Sequence, residues 1–191
     1  AFTILHDGFA KLNNVNWKAA GVAIPVFSLR SKKSFGTGEF TDLNLLVDWA
    51  KTTGLKMIQL LPVNDTTATY SWKDSYPYSA ISAFALHPLL LNIETVAGKE
   101  NAEVATALSS KQEQLNKLPE LDYEEVIKIK IEAISKLYHL QKTDFKDDLK
   151  FMNFFEFNRH WLEPYAAFSY LRDKYKTADF TTWKTNAVYD E

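Results

Sequence analysis

The sequence predicts an α/β chain in which a parallel βαβ unit gives way to a run of helices. Three observations carry this expectation: an apolar run at residues 21–29, a second at 56–63 beyond a helical stretch, and an amphipathic region without glycine from about residue 101 to 175. Gly21-Val-Ala-Ile-Pro-Val-Phe-Ser-Leu29 has the near-continuous apolar character of a strand covered on both faces of a parallel sheet. Pro25 interrupts it, because proline cannot donate to a ladder and is confined to edges and strand ends. The polar stretch 30–40 holds Gly36 and Gly38, and Thr41 or Asp42 is placed to cap the next helix. Leu43, Leu46, Val47 and Ala50 recur there at helical spacing, and Gly54 ends it. Lys56-Met-Ile-Gln-Leu-Leu-Pro-Val63 then reads as the second strand. A right-handed crossover puts the C-terminal ends of both strands, near residues 28–30 and 64–65, on one face.

Leu89-Leu-Leu-Asn-Ile93 reads as a further strand or edge piece. A boundary near Ala97-Gly98 separates this part from helices carrying Val104 with Leu108, and Tyr123, Ile127, Ile131, Ile134 with Tyr138. Residues 151–161 are dense in rings, and Pro164 is expected to open a last helix with Ala167, Phe168 and Leu171.

Composition sets limits on function. The 191 residues suffice for one domain, or for a core with a smaller subdomain, and 46% apolar content favours folding over disorder. A net charge of -2, with lysines interleaved among acids, gives no support for a nucleic-acid partner. Cysteine is absent, which removes disulfides and thiolate metal sites and fits a reducing compartment. No apolar stretch reaches membrane-spanning length, and Ala1-Phe-Thr-Ile-Leu5 meets His6 and Asp7 without the pattern of a secretion signal, so a cytoplasmic location is expected. The absence of an initiator Met and the abrupt ends, Ala1 and Tyr189-Asp-Glu191, suggest a piece of something longer.

The densest chemical signal is Asp74-Ser-Tyr-Pro-Tyr-Ser-Ala-Ile-Ser-Ala-Phe-Ala-Leu-His-Pro88, soon after the second strand. Rings, hydroxyls and a fixed proline in a short loop suit a hydroxyl-rich ligand with apolar faces, such as a sugar. On residue types alone, packing of Tyr76, Tyr78 and Phe84 against the body is the stronger reading. Asp65 and Asp74 lie in the loop after the second strand, on the face where barrel enzymes work, and turn capping at Asn64-Asp65-Thr66 explains Asp65 at least as well as ligand contact. Gly36-Thr-Gly38 lacks the Lys-Ser/Thr pair and third glycine of nucleotide-binding loops. His6, His87, His139 and His160 have no i,i+4 pairing, so they read as structural, with no metal site and no cofactor expected. Glu124 with Glu125, and Asp147 with Asp148, read as solvated helix positions.

Several ordered motifs carry a resemblance. Gly21-Val-Ala-Ile-Pro-Val-Phe-Ser-Leu-Arg-Ser31, Ser34-Phe-Gly-Thr-Gly-Glu-Phe-Thr-Asp-Leu43, Leu46-Val-Asp-Trp-Ala50, Gln59-Leu-Leu-Pro-Val-Asn-Asp-Thr66 and the 74–88 segment are similar to the start of the 4-alpha-glucanotransferases, the amylomaltase or disproportionating enzymes of glycoside hydrolase family 77. Asp122-Tyr-Glu124, Trp161-Leu-Glu-Pro-Tyr-Ala-Ala-Phe168 and Leu171-Arg-Asp173 extend the likeness, which runs from about Trp17 onward. It is closest to the large type also found in plant cytosol. Tyr76 is an extra residue relative to the Asp-Ser-Pro-Tyr of the smaller bacterial enzymes, and His87 stands where many of those have Asn.

The resemblance implies a partial (β/α)8 TIM barrel, first strands only, followed by an inserted α-helical subdomain: a linker at 1–17, the start of the catalytic barrel at 18–97, and the helical subdomain at 98–191. It implies transfer of α-1,4-glucan segments from maltooligosaccharides, glycogen or starch to a sugar acceptor, by the two-carboxylate logic of retaining glycoside chemistry. Motifs for the nucleophile and the acid/base are not found here and are expected beyond residue 191. Tyr78 resembles the tyrosine that lines the family's sugar subsite beside the nucleophile, with Ser75 a lesser candidate; these join Asp65 and Asp74 as substrate-binding residues. The stub is expected to leave Ile24, Val26, Ile58 and Leu60 without partners, and so to self-associate and to lack activity alone. Two rivals remain: a non-catalytic carbohydrate-binding piece, and a helical module docking a protein through residues 151–168.

Overall fold

The computed structural model describes residues 18–142, 145 and 148–189; the expected linker at 1–17, His6 and Asp147 lie outside them. Strands β1 (Gly21–Ile24) and β2 (Met57–Leu60) pair in parallel, Gly21 opposite Met57 and Ile24 opposite Leu60. Helix α1 (Asp42–Thr53) lies between them in the chain. The first apolar run is therefore split. Pro25 has no N–H for the ladder, and the chain passes at once into a 3-10 turn, Val26–Ser28. Val26, expected to be open beside Ile24, Ile58 and Leu60, is buried because that turn folds it under the glycine loop, where the Gly38 N–H donates to the Phe27 carbonyl at 2.8 Å. A Cβ at position 38 would collide with the Val26 carbonyl oxygen, which is why glycine stands there. Ile24 and Ile58 are half-buried, whereas Leu60 and Met57 are exposed.

Helix α1 buries Leu46 and Ala50 but leaves Val47 exposed, a narrower stripe than the sequence predicts. Neither expected cap acts as one. Thr41 makes no side-chain bond to the helix, and the buried Asp42 carboxylate reaches back to accept from the Glu39 N–H at 2.8 Å and the Ser34 hydroxyl at 2.9 Å.

The segment expected as a third strand is helical instead. Pro88–Leu90 is a 3-10 turn, and Asn92 caps helix α2 (Ile93–Ala97) by accepting from the Thr95 N–H. The ring of His87 accepts from the Leu89 N–H, so local capping by two side chains outweighs strand propensity. Helices α3 (Ala102–Thr106), α4 (Ser109–Asn116), α5 (Tyr123–Gln141) and α6 (Leu149–Tyr175) follow, then a 3-10 turn at Phe180–Thr182. Val104 and Leu108 do not share a helix, since Leu108 lies between α3 and α4. Pro164 sits inside α6 rather than at its start. Asp148 caps α6 by accepting from the Lys150 and Phe151 N–H groups, and Pro164 merely deprives the helix of one bond to the His160 carbonyl.

Packing centres on α5. Phe35, Leu89, Leu115, Tyr123, Val126, Ile127 and Ile129 form one buried cluster, and Ile93, Ala97, Val104, Ala133 and Leu137 a second. The first joins residues from both sides of the composition change at 97/98. Tyr138, expected on the inner stripe, is exposed, while Lys130 is fully buried. Lys130 Nζ donates to Glu39 Oε1 and to the carbonyls of Leu89 and Leu91, so all of its donors are satisfied. Burial lowers the pKa of Lys130 and raises that of Glu39, and their contact opposes both shifts. Among the described residues, no helix is long and apolar enough to cross a membrane.

Candidate functional site

The tyrosine loop, residues 65–85, leaves the C-terminal end of β2 and returns to its own root. The Asp65 N–H donates to the Ala85 carbonyl at 2.9 Å, the Ile81 N–H to the Asp65 carbonyl at 2.8 Å, and the His87 N–H to the Val63 carbonyl at 3.0 Å. Asn64 adds a side-chain bond to the Ala83 carbonyl at 2.8 Å. Such closure makes the loop a fixed body on the strand end.

Asp65 and Asp74 were expected to bear on the substrate; the structure places both inside the loop. Asp65 is 1% exposed, with Oδ1 accepting from the Thr67 N–H at 2.9 Å and Oδ2 from the Tyr165 hydroxyl at 2.6 Å. Asp74, 5% exposed, accepts at Oδ2 from the Thr69 and Tyr70 N–H groups and at Oδ1 from the Thr69 hydroxyl. Short acidic side chains organise neighbouring N–H groups in this way. Here they hold Tyr70 at φ 57°, a left-handed conformation unusual for a ring-bearing residue.

The loop's tip presents the rings. Tyr76 is extended, as a residue before proline must be, and its carbonyl accepts from the Ser79 N–H at 3.2 Å, closing a turn with Pro77 at its second position. Tyr76 and Tyr78 consequently stand 5.4 Å apart, tilted by 53°, at 60% and 61% exposure. Tyr78 is therefore on the surface, not packed inward. Ser75 is exposed beside them.

A cleft of about 310 Å³ lies under the loop, walled by Phe27 and Arg30 after β1, Asn64 after β2, Ser75 and Pro77 of the loop, and His87 with Tyr123. Both strand ends thus open into one concavity. Asp74 reaches its wall, whereas Asp65, Tyr76 and Tyr78 are not part of it. His87 Nδ1 accepts from the Leu89 N–H, leaving the ring hydrogen on Nε2, which faces the Tyr123 oxygen at 3.3 Å. Burial holds the His87 pKa below 6.5, against the pull of Asp65 and Asp74, and pushes Tyr123 upward. Gly36, at φ 78°, also borders this cleft, in a loop fixed by backbone conformation with no phosphate-binding signature.

Sequence reasoning missed the contribution of α6. Tyr165 and Arg172, which lie in two of the motifs that carry the resemblance, reach the loop from about 100 positions away, and only three-dimensional proximity shows these contacts. Arg172, 5% exposed, donates from Nη1 to the Thr67 carbonyl and from Nη2 to the Tyr70 hydroxyl, with its guanidinium 4.9 Å from the Tyr70 ring centroid. The Tyr70 hydroxyl lies 3.0 Å from Asp173 Oδ1, and burial pushes its pKa up to about 12. Burial, then the bond to Asp65, raises Tyr165 further, keeping it a donor at neutral pH. Glu124 accepts from the Trp72 N–H and Glu125 pairs with Lys111, so these two expected free carboxylates have partners. Among the described residues, no group of three or more His, Asp or Glu is arranged to hold a metal ion.

Comparison of the sequence with known proteins finds relatives among the glucanotransferases. A family model described as 4-alpha-glucanotransferase matches residues 24–191. The chain is 42% identical over 182 residues to 4-alpha-glucanotransferase DPE2 of Oryza sativa subsp. japonica, covering 95% of this chain and 19% of that protein. It is 36% identical over 166 residues to the 4-alpha-glucanotransferase of Chlamydia trachomatis serovar D, covering 86% and 31%, and 35% identical over 164 residues to that of Chlamydia caviae, covering 85% and 30%. This chain belongs to the 4-alpha-glucanotransferase family. It spans between about a fifth and a third of the length of these relatives.

Proposed function

We propose that the chain is the first part of the catalytic (β/α)8 barrel of a 4-alpha-glucanotransferase, residues 18–97, joined to a helical subdomain at 98–191, and that its tyrosine loop faces an α-1,4-glucan. The observation that carries this reading is the exposed Tyr76 and Tyr78 pair, held on a closed loop at the C-terminal end of a parallel strand. Barrel enzymes of this kind work at that end. Parallel strands are ordinarily covered on both faces, yet β1 and β2 leave the face with Met57 and Gln59 exposed and the face with Ile24 and Ile58 only half-buried, which supports their being the first of a larger closed sheet.

In this reading Tyr78 offers a flat face to sugar C–H groups and a phenol to a sugar hydroxyl, with Ser75 close by. Asp65 and Asp74 shape the loop and do not touch the glucan. Retaining transfer needs a carboxylate nucleophile and a carboxyl acid/base about 5 Å apart. The two aspartates of this loop have their oxygens occupied by donors of the loop and of α6, so they are not the reacting pair, which this reading assigns to later segments of the complete protein. Carboxylates carry this chemistry without metal or cofactor. A cytoplasmic location belongs to the same reading, and the cysteine-free composition is compatible with it.

The test is product analysis with the complete protein. Incubation with a single maltooligosaccharide should yield a ladder of longer and shorter α-1,4-glucans; no new oligosaccharides, or a ladder of another linkage, would refute the assignment.

A further inference from the structure

We propose that Tyr165 and Arg172 of α6 are positioning residues that set the place of the tyrosine loop, an inference that rests on the sugar-facing role given to that loop. Three contacts from one stripe of α6 reach it at separate points. Trp161 stacks on Phe84 in the returning limb, ring centroids 5.4 Å apart and planes at 17°. Tyr165 donates to Asp65 at the entry. Arg172 grips the Thr67 carbonyl and the Tyr70 hydroxyl, and Asp173 accepts from that same hydroxyl. Residues 161, 165 and 172 follow the i, i+4, i+11 spacing of a single helix face.

Besides these contacts the loop is held by the closure bonds at its root, by the Trp72 N–H bond to Glu124 of α5 and by Tyr70 against the α5 cluster. Ser75, Tyr76, Tyr78, Ser79 and Ala80 are exposed, and its inner bonds converge on Asp65 and Asp74. Asp65 already uses its N–H, its carbonyl and Oδ1 within the loop and its root, so the Tyr165 hydroxyl on Oδ2 is the bond that ties this hub to a separate element. Tyr70 plays the same part further along, since its left-handed backbone aims the ring at Arg172. Helix α6 thus acts as a splint. A shift of its face moves both roots of the loop together, and the Tyr76 and Tyr78 rings with them. Where a ring must meet a reacting sugar, displacement of about 1 Å costs up to about a hundredfold in rate.

The experiment uses the complete protein with Tyr165→Phe, which removes one oxygen, and Arg172→Lys, which keeps the charge but loses the fork and the stacking. Two readouts are taken: hydrogen exchange of the loop amides, and the kcat/KM of glucan transfer, alone and combined with Tyr78→Ala. Each single change should speed exchange selectively within residues 65–85 and lower kcat/KM by about tenfold. In the Tyr78→Ala background the same changes should leave kcat/KM within about twofold, because the ring they position is gone. Unchanged loop exchange, or losses that multiply in the combined variants, would overturn the proposal. Should Tyr78→Ala alone retain full activity, the sugar-facing reading fails, and loop exchange still decides whether α6 sets the loop. If Arg172→Lys does not fold, Tyr165→Phe decides alone.

Discussion

Lys130 Nζ lies 2.5 Å from Glu39 Oε1 with both side chains shut away from solvent, joining α5 to the loop after β1 across 91 positions of sequence. Asn92 completes the carboxylate by donating to Oε2 at 2.6 Å. Removing one partner of such a pair strands the other, which costs about 3–5 kcal/mol. Lys130→Met is therefore expected to lower the unfolding midpoint of the complete protein sharply, and Lys130→Met with Glu39→Gln to recover much of the loss. Equal midpoints for Lys130→Met and the parent would show that the pair does not hold these elements together.

His87 gives a pH dependence with a definite sign. Its Nδ1 accepts an N–H, and burial depresses the folded pKa below 6.5, so the unfolded chain binds the proton more readily. The stability it contributes is complete above 6.5 and is lost as pH falls through the folded value. Asp65 and Asp74 face the ring and oppose this shift, and Lys130 reinforces it. His87→Asn keeps an acceptor without the titration. The stability difference between parent and His87→Asn should thus move against the parent between about pH 7 and pH 5, and thermal melts giving the same difference at both would contradict it.

The isolated chain should associate with itself and lack transfer activity. Strands β1 and β2 have one exposed and one half-buried face, with Met57 and Leu60 exposed, and unpaired parallel edges invite pairing with another chain. Light scattering should report oligomers, and maltose should release no glucose. A monodisperse monomer would count against the open-edge reading, and glucose release against the absence of the reacting carboxylates.

The βαβ unit was legible because its signals are local: two apolar runs, a helical stripe through Leu46 and Ala50, and Gly54 at its end. The end of β1 was less legible: the apolar run places it near residues 28–30, with Pro25 an interruption, whereas the strand stops at Ile24. The segment 89–93 misled because its apolar run hides two side-chain caps, His87 and Asn92, whose effect depends on rotamer and not on hydropathy. Lys130 broke the expected stripe of α5 because a lysine at an inward position reads as surface unless its acceptors, far off in the chain, are known. At the site, residue type alone favours packing of Tyr76 and Tyr78 against the body, and it is the resemblance that singles out Tyr78; both rings are exposed. The roles of Asp65 and Asp74 could not be read, since ligand contact and loop capping call for the same residue. Tyr165 and Arg172 lie in segments that carry the resemblance, but nothing local tells that their side chains reach the loop.

The most direct measurement is the kcat/KM of α-1,4-glucan transfer by the complete protein with Tyr78→Ala and Tyr78→Phe, alongside their melting midpoints. Tyr78 is exposed at the tip of a loop held elsewhere, so neither change should alter the midpoint appreciably. Loss of one hydroxyl contact in Tyr78→Phe should lower kcat/KM by about two- to tenfold, and Tyr78→Ala should lower it further. Parental kcat/KM in Tyr78→Ala, or a loss that follows unfolding, would contradict a sugar-facing Tyr78.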